Sequence, residues 1–138
     1  MSHNLDIIIP VFNEQGNILK TLSEIIKIVD IKYRIVVVYD YDEDPTLKII
    51  NENFKEGEIF LIKNKYFGFN GAVKTGFENL DANAIMLYPA DDHKNFSLIT
   101  EMYNKYIEGY DIVCASRFVK GGSYKGAPLL KRIIVKLV

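Results

Sequence analysis

Short β-rich apolar runs alternate along this chain with longer segments in which apolar residues recur at helical spacing. The β-rich runs are LDIIIPV (5–11), YRIVVVYD (33–40), EIFLIK (58–63), NAIMLY (83–88) and DIVCAS (111–116). Strands that alternate with helices need crossover connections, which lead to a mostly parallel sheet with helices on both faces. The near-continuous apolar stretches are typical of central strands buried on both sides. The sequence therefore predicts an α/β fold.

The segments between these runs follow the three- and four-residue spacing of an amphipathic helix. Apolar residues share one helical face in 18–29, in 72–80 and in 98–106. Another helix is predicted after the second strand, because Asp44 can cap a helix and Pro45 suits its first position. Gly109 stands where the last helix is expected to end. Within the third helix, Gly76 is predicted to allow close packing against the sheet.

Composition limits the class of protein. With 138 residues, 49% of them hydrophobic, the chain suits one globular domain and is too apolar for a disordered segment. Cys114 is the only cysteine, which excludes a disulfide scaffold, and its apolar neighbours predict a buried, unreactive thiol in a reducing compartment. No apolar run approaches the roughly 18–20 residues that cross a bilayer. We therefore expect a soluble, cytoplasmic protein.

Charge is unevenly distributed along the chain. Residues 117–138 contain six basic residues and no acidic one, although the net charge of the whole chain is −1. The preceding part is therefore acidic. A basic segment of this kind suits an anionic partner such as a phosphate or a lipid surface. The alternative is a solvated basic face without a partner.

Polar side chains follow every predicted strand at the point where the strand ends. In an open parallel sheet, ligands bind beyond the carboxyl ends of the strands, where the strand order reverses. The polar side chains expected at this edge are those of Asn13, Glu14, Asp40, Asn64, Asp91, Asp92, His93 and Arg117, and the ring of Phe12 accompanies them. Because such residues recur after five predicted strands, we predict the binding site at this edge.

Asp91, Asp92 and His93 follow the fourth predicted strand directly. Adjacent carboxylates repel each other, and a divalent cation with oxygen ligands relieves that repulsion. Such a cation commonly keeps several waters and bridges to the phosphates of a substrate. The alternative is a capped turn that leads into the helix at about residue 96, with an aspartate or an asparagine as its cap.

Two further carboxylates are candidates for ligand contact. Asp40, at the end of the second strand, can accept a hydrogen bond from the N–H edge of a nucleobase, and a bond of this charged kind contributes about 1.5–3 kcal/mol. The alternative for Asp40 is an ordinary acidic loop. Glu14 can touch a ligand or simply suit the dipole of the first helix.

Arg117 leaves the fifth predicted strand and is followed by Gly121 and Gly122, a placement that suits bidentate phosphate binding from a loop. A surface ion pair is the alternative. Several other classes lack their motifs, since the chain has no GxGxxG after the first strand, no GxxxxGK[ST] and no GxSxG.

Taken together, these motifs resemble the family-2 glycosyltransferases with the Rossmann-like GT-A fold, and most of all the branch that transfers mannose or glucose to polyprenyl (dolichol) phosphates. The stretches that carry the resemblance are DIIIPVFNE (6–14), VVVYDYDEDPT (36–46), NKYFGFNGAVKTGF (64–77), YPADDHKN (88–95) and DIVCASRFVKGG (111–122). They cover almost the whole chain, and their combination is specific.

The resemblance implies roles for individual residues of this chain. The nucleotide would contact Pro10, Phe12, Glu14, Asp40, Ala90 and Asp91. The D-x-D stretch of the family holds Mg²⁺ or Mn²⁺ on the pyrophosphate, which matches Asp91, with His93 and Asp92 as further ligands. Arg117 matches an arginine that contacts the transferred or acceptor phosphate, so Asp91 and Arg117 are the implied catalytic residues.

The chain departs from the family pattern at two positions. Tyr39 stands where the family has the first aspartate after the second strand, and Pro89 stands where D-x-D begins. The family also continues beyond the last matching stretch with further strands and an acceptor region. We therefore expect a fragment of a longer enzyme, in which residues 1–116 bind the nucleotide sugar and 117–138 lead toward that region.

The resemblance implies an inverting glycosyltransferase that uses a GDP- or UDP-linked sugar and a lipid-phosphate acceptor. This would place the protein in the cytoplasm, at the face of a membrane that its basic segment contacts, without a nucleic-acid partner. One alternative is a non-catalytic nucleotide-sugar-binding module. Another is a nucleotidyltransferase, which is disfavoured because no glycine-rich loop follows the first strand.

Overall fold

The computed structural model describes residues 3–79 and 81–116. Four parallel strands form the sheet in this part of the chain, in the order β3-β2-β1-β4. The strands are β1 (His3–Val11), β2 (Tyr33–Tyr39), β3 (Ile59–Lys63) and β4 (Ala82–Leu87). The helices are α1 (Ile18–Ile28), α2 (Pro45–Asn53), α3 (Gly68–Glu78) and α4 (Ser97–Ile107). The predicted α/β fold with a parallel sheet is confirmed.

Helices cover both faces of the sheet. Successive side chains of β1 point to opposite faces, so Ile7 and Ile9 enter the larger core while Ile8 enters the smaller one. The larger core also contains apolar residues of α1, α2 and α4, and the smaller core contains Ala72 of α3. Asp44 caps α2 as predicted, since its carboxylate accepts a hydrogen bond from the backbone N–H of Thr46.

The buried faces of two helices differ from the apolar faces predicted from spacing. In α1, Leu19 and Ile26 lie at the margin of the buried face and remain 40% and 46% exposed. In α3 the buried residues are small, namely Gly71, Ala72, Thr75 and Gly76. Phe77, which the spacing places on the apolar face, is half exposed. Because α3 lies close to the sheet, small side chains fit on its buried face and large apolar side chains do not.

Gly76 packs directly on β1, as predicted. A Cβ atom at this position would lie 2.7 Å from Cδ1 and 2.8 Å from Cγ2 of Ile8. We expect Gly76→Ala to lower the free energy of unfolding by about 1–3 kcal/mol, because Ile8 is fully buried and overpacking forces the core to shift. Urea denaturation measures this. Gly16→Ala is the control, since a Cβ there meets no atom within 4 Å. Equal stability of the two variants would contradict the packing argument.

A buried ion pair lies toward the amino ends of β1 and β2. The Asp6 side chain is fully buried, and Arg34 donates to it through Nε (3.0 Å) and Nη2 (2.5 Å). Asp6 also accepts from the backbone N–H of Asp81, while Arg34 donates to the carbonyl of Asn79. The guanidinium lies 5.2 Å from the ring centroid of Phe60. This ion pair therefore connects the start of β4 to the centre of the sheet.

The order of the strands in the sheet reverses beside β1. The chain passes from β1 through β2 to β3 on one side, and then crosses to β4 on the other side of β1. The strand order therefore reverses between β1 and β4, and open α/β sheets bind ligands in the crevice beyond the strand ends at such a point.

The predicted fifth strand is wrong for the described residues. Residues 111–116 are not a strand, and Ile112 is 82% exposed. The predicted buried thiol is also wrong, because Cys114 is exposed. A strand needs a hydrogen-bonded neighbour, and no pairing on the outer edge of β4 occurs within 3–79 and 81–116. A cavity of about 800 Å³ instead separates β4 and α4 from residues 110–115.

No helix in 3–79 or 81–116 combines the length and the apolarity that a membrane span requires. The predicted basic segment 117–138, including Arg117, lies outside the described residues.

Candidate functional site

The loop after β1 is held by residues at the start of α2. The backbone N–H of Asn13 donates to Oδ2 of Asp44 (3.0 Å), and that of Glu14 donates to Oγ1 of Thr46 (2.8 Å). Asn13 has a left-handed backbone conformation, with φ 58°, which asparagine tolerates better than most residues. Asp44 and Thr46 are both buried. The helix cap therefore also fixes the first loop of the site, a role that the sequence did not reveal.

Asp40 follows β2 and is half buried at the same edge. Its Oδ1 accepts from the side-chain amide of Asn64 (2.6 Å), and its Oδ2 accepts from the backbone N–H of Gly68 (3.0 Å). The carboxylate therefore lies between the loop after β2 and the loop after β3. Since each carboxylate oxygen can accept two hydrogen bonds, both oxygens retain acceptor capacity.

Aromatic side chains lie on the loops that follow β1, β2 and β3. Phe12 packs edge-on against Tyr41, with 5.7 Å between ring centroids. Phe67, next to Gly68, is 74% exposed and has a φ of 62°. A bulky residue in this conformation is strained, and strain of this kind clusters at functional sites. Flat apolar surfaces beside a carboxylate suit a planar, hydrogen-bonding ligand.

The loop after β4 is fixed from both ends. Thr21 of α1 donates a buried hydrogen bond to the carbonyl of Ala90 (2.6 Å), and the Tyr88 hydroxyl donates to the carbonyl of Asp92 (3.1 Å). The Tyr88 ring stacks on Phe96. Burial, and secondarily the charge of Asp92, raises the pKa of Tyr88 well above its ordinary value. Tyr88 therefore stays neutral and keeps donating at physiological pH.

The side chains of Asp91, Asp92 and His93 differ in the hydrogen bonds that they form. Asp91 is exposed, and no hydrogen bond or ion pair of its carboxylate occurs within the described part of the chain. Asp92 accepts from the backbone N–H groups of Lys94 and Asn95 and from the Asn95 side chain. Nε2 of His93 is buried and has no hydrogen-bond partner among these residues. Asp92 therefore stabilises the turn over residues 92–95 without capping α4, whose N-terminus has no side-chain cap, while Asp91 and His93 keep free ligand atoms.

The described residues contain no cluster of three carboxylate, imidazole or thiol groups that could hold a metal ion by themselves. A two-ligand arrangement is nevertheless typical of Mg²⁺ and Mn²⁺ sites in which the phosphates of a substrate supply further oxygens. Asp91 offers a carboxylate of the kind that such sites use, and Nε2 of His93 offers a nitrogen as a second donor.

Most of the residues predicted for the site lie along one edge of the sheet. Phe12 and Glu14 follow β1, Asp40 follows β2, and Ala90 and Asp91 follow β4. Pro10 lies within β1, opposite Val38 of β2. Since β2 and β4 both flank β1, the strands that precede Asp40 and Asp91 lie roughly 10 Å apart. Glu14 accepts a hydrogen bond from Asn17.

Comparison with known proteins identifies relatives along most of the chain. The sequence profile of glycosyl transferase family 2 matches residues 6–136. An uncharacterized glycosyltransferase of Synechocystis is 33% identical over 88% of this chain and 40% of its own length. A dolichol-phosphate mannosyltransferase of Pyrococcus furiosus is 29% identical over 96% of this chain and 38% of its own. The chain thus spans about 40% of the length of these relatives.

The same fold occurs in a solved structure of glucosyl-3-phosphoglycerate synthase from Mycobacterium tuberculosis, which was determined with Mn²⁺, UDP and glucosyl-3-phosphoglycerate. The TM-score is 0.64 at 12% identity, and the match covers 78% of this chain and 40% of the other. The predicted GT-A fold is therefore confirmed by structural comparison as well as by topology.

Proposed function

Because the chain belongs to glycosyl transferase family 2, we propose that it forms the donor-binding part of an inverting enzyme that transfers a sugar from a nucleotide-diphosphate sugar to a polyprenyl phosphate. The observation that carries the proposal is the position of Asp40 and Asp91. They follow the two strands that flank β1, on either side of the point where the strand order reverses. A nucleotide can therefore lie across the end of β1, with one end at each carboxylate.

The nucleobase is assigned to the Asp40 end of the crevice. Asp40 retains acceptor capacity for an N–H of the base. The exposed ring of Phe12 contacts Tyr41, the residue that follows Asp40 in the chain. Aromatic side chains contribute stacking surface to a base whatever its identity, whereas a hydrogen-bonded carboxylate discriminates between bases. This chemistry suits uracil or guanine, each of which presents an N–H edge, and the mycobacterial structure of the same fold holds UDP.

The diphosphate is assigned to the loop after β4, with a divalent metal held by Asp91 and His93. Nε2 of His93 and the carboxylate of Asp91, both without a partner among the described residues, supply the ligand atoms. When bound, Mg²⁺ or Mn²⁺ would offset the negative charge that develops on the leaving diphosphate. Thr21 and Tyr88 keep this loop in place through their hydrogen bonds to its backbone.

The reaction would be an in-line displacement at the anomeric carbon. An oxygen of the acceptor phosphate forms a bond to the anomeric carbon while the bond between that carbon and the donor diphosphate breaks. The configuration of the anomeric carbon is thereby inverted. A lipid phosphate is already an anion, so the reaction needs no strong general base to remove a proton. Arg117 is proposed to contact the transferred or acceptor phosphate, because arginine binds phosphate oxygens through two N–H groups. Similarity to the dolichol-phosphate mannosyltransferase of Pyrococcus supports this class of acceptor.

A thermal-shift panel of UDP- and GDP-sugars, with and without Mn²⁺, tests the proposal. A ligand present at 100 times its Kd stabilises the native state by about 2.7 kcal/mol, so at least one nucleotide sugar should raise the melting temperature, and Mn²⁺ should increase the shift. We expect Asp91→Asn to remove the part of the shift that depends on Mn²⁺. The matched control is Asp30→Asn, an exposed carboxylate on the loop between α1 and β2, remote from the carboxyl ends of the strands.

An unshifted panel would contradict the nucleotide-binding proposal. A shift that is equal with and without Mn²⁺ would contradict the metal site while leaving the nucleotide site intact. Transfer to a polyprenyl phosphate, or donor hydrolysis, distinguishes an enzyme from a non-catalytic binding module. A chain that binds donor but shows neither reaction would be such a module.

A further inference from the structure

We infer that Asn64 is a positioning residue that holds the Asp40 carboxylate in the orientation needed to recognise the nucleobase. Asn64 comes directly after β3, and its backbone N–H donates to the carbonyl of Tyr39, next to Asp40 (2.7 Å). The side-chain amide reaches Asp40 Oδ1 at 2.6 Å. This inference rests on the proposed function, because it concerns the group that reads the base.

The orientation of the Asn64 side chain is determined by four hydrogen bonds. Its NH₂ group donates to Asp40 and to the carbonyl of Gly68 (3.0 Å), and its carbonyl accepts from the backbone N–H of Tyr66 and from the hydroxyl of Thr75 (both 3.0 Å). These partners use the full hydrogen-bonding capacity of a primary amide. A rotation of the amide by 180° would set its oxygen against two acceptors, so only one orientation is stable.

Rigid elements surround this amide. Thr75 is fully buried on α3 and also accepts from the backbone N–H of Lys65 (3.0 Å). Gly71 faces the same loop, and a Cβ there would lie 2.9 Å from the Tyr66 backbone and 3.1 Å from the Asn64 side-chain oxygen. The loop therefore cannot shift without disturbing α3. Asn64 stays in place and holds the Asp40 carboxylate through their hydrogen bond.

The chemical type of the donor is also informative. Asp6, which holds the sheet together, is paired with the cationic Arg34. Asp40 is held instead by two neutral donors, the Asn64 amide and the Gly68 N–H. Neutral donors fix the geometry of a carboxylate without neutralising its charge. The full negative charge of Asp40 is therefore available to a donor on a ligand, which is what base recognition requires and what a structural ion pair would remove.

The first test compares two probes on the full chain with Asn64→Ala. The probes are a nucleotide sugar that binds the wild type and inorganic pyrophosphate with Mn²⁺, which lacks a base. We expect affinity for the nucleotide sugar to fall about tenfold, the scale of one charged hydrogen bond, while affinity for pyrophosphate with Mn²⁺ stays unchanged. Asn53→Ala, an exposed asparagine at the end of α2, is the control for loss of an amide.

A second variant separates positioning from stability. The exchange Asp40→Asn with Asn64→Asp rebuilds an amide–carboxylate hydrogen bond with the two groups interchanged. We expect its melting temperature to exceed that of Asn64→Asp alone, which sets two carboxylates against each other. Affinity for the nucleotide sugar should remain low, because the carboxylate now stands at position 64.

Three results would overturn the inference alone while the wild type still binds the nucleotide sugar. These are equal losses for both probes, no loss for either probe, and recovery of nucleotide affinity in the exchanged variant. A wild type that binds no nucleotide sugar would instead contradict the proposed function, and this inference with it.

Discussion

Replacing Asp6 with leucine is expected to lower the free energy of unfolding by about 3–5 kcal/mol, the effect of leaving a buried charge without its partner. Arg34 would lose both of its hydrogen bonds to the carboxylate and keep only the carbonyl of Asn79 and the Phe60 ring. The backbone N–H of Asp81 would lose its acceptor as well. Urea denaturation followed by circular dichroism measures the loss.

Removing both charges is expected to restore much of that stability. In Asp6→Leu with Arg34→Met, no unpaired charge remains, and apolar replacements of a buried ion pair are often neutral or stabilising. The control is Glu108→Gln, which breaks the exposed ion pair with Lys105 and should leave the denaturation midpoint unchanged. A single Asp6 variant as stable as the wild type would show that this ion pair does not hold β4 in place.

Asp40→Asn is expected to weaken binding of the nucleotide sugar by about 10- to 100-fold, which corresponds to roughly 1.5–3 kcal/mol for a hydrogen bond to a charged group. The substitution keeps the shape of the side chain and leaves an oxygen for the N–H of Gly68, but its NH₂ group then faces the NH₂ group of Asn64 in place of an acceptor. It removes the charge that the base would contact. Isothermal titration calorimetry measures the affinity.

The matched control for this variant is Asp42→Asn, two residues further along the same loop. Asp42 is exposed and forms a surface ion pair with Lys63 at 2.5 Å. Its loss should leave nucleotide affinity unchanged. If Asp42→Asn and Asp40→Asn weaken binding equally, the effect reflects the overall charge of the acidic loop, and specific recognition by Asp40 is contradicted.

The central strands and the α2 cap could be predicted because they depend on local pattern. The apolar runs that form β1 and β2 are buried on both faces, so most of their residues are apolar and the strand pattern is clear in the sequence. Asp44 and Pro45 mark the start of α2 through local backbone geometry alone. The packing role of Gly76 was predictable because glycine weakens a helix, so a glycine inside a regular helix indicates a close contact that excludes a side chain.

The fifth strand and the state of Cys114 could not be predicted in the same way. The apolar run 111–116 has the composition of a strand, but a strand forms only when a neighbour supplies hydrogen bonds. No such pairing reaches the outer edge of β4 within the described residues. The exposure of Cys114 follows from the same cause.

The succession of strands and helices along the chain, the parallel sheet and the edge at which polar residues gather could all be inferred from the sequence, because periodicity and burial act over neighbouring residues. Which polar groups meet at that edge depends on the three-dimensional arrangement of the loops. The bond from Asn64 to Asp40 joins residues 24 positions apart, and that from Asn13 to Asp44 joins residues 31 apart. These hydrogen bonds depend on how the crossover connections bring separate loops together. A pattern of neighbouring residues cannot predict that arrangement.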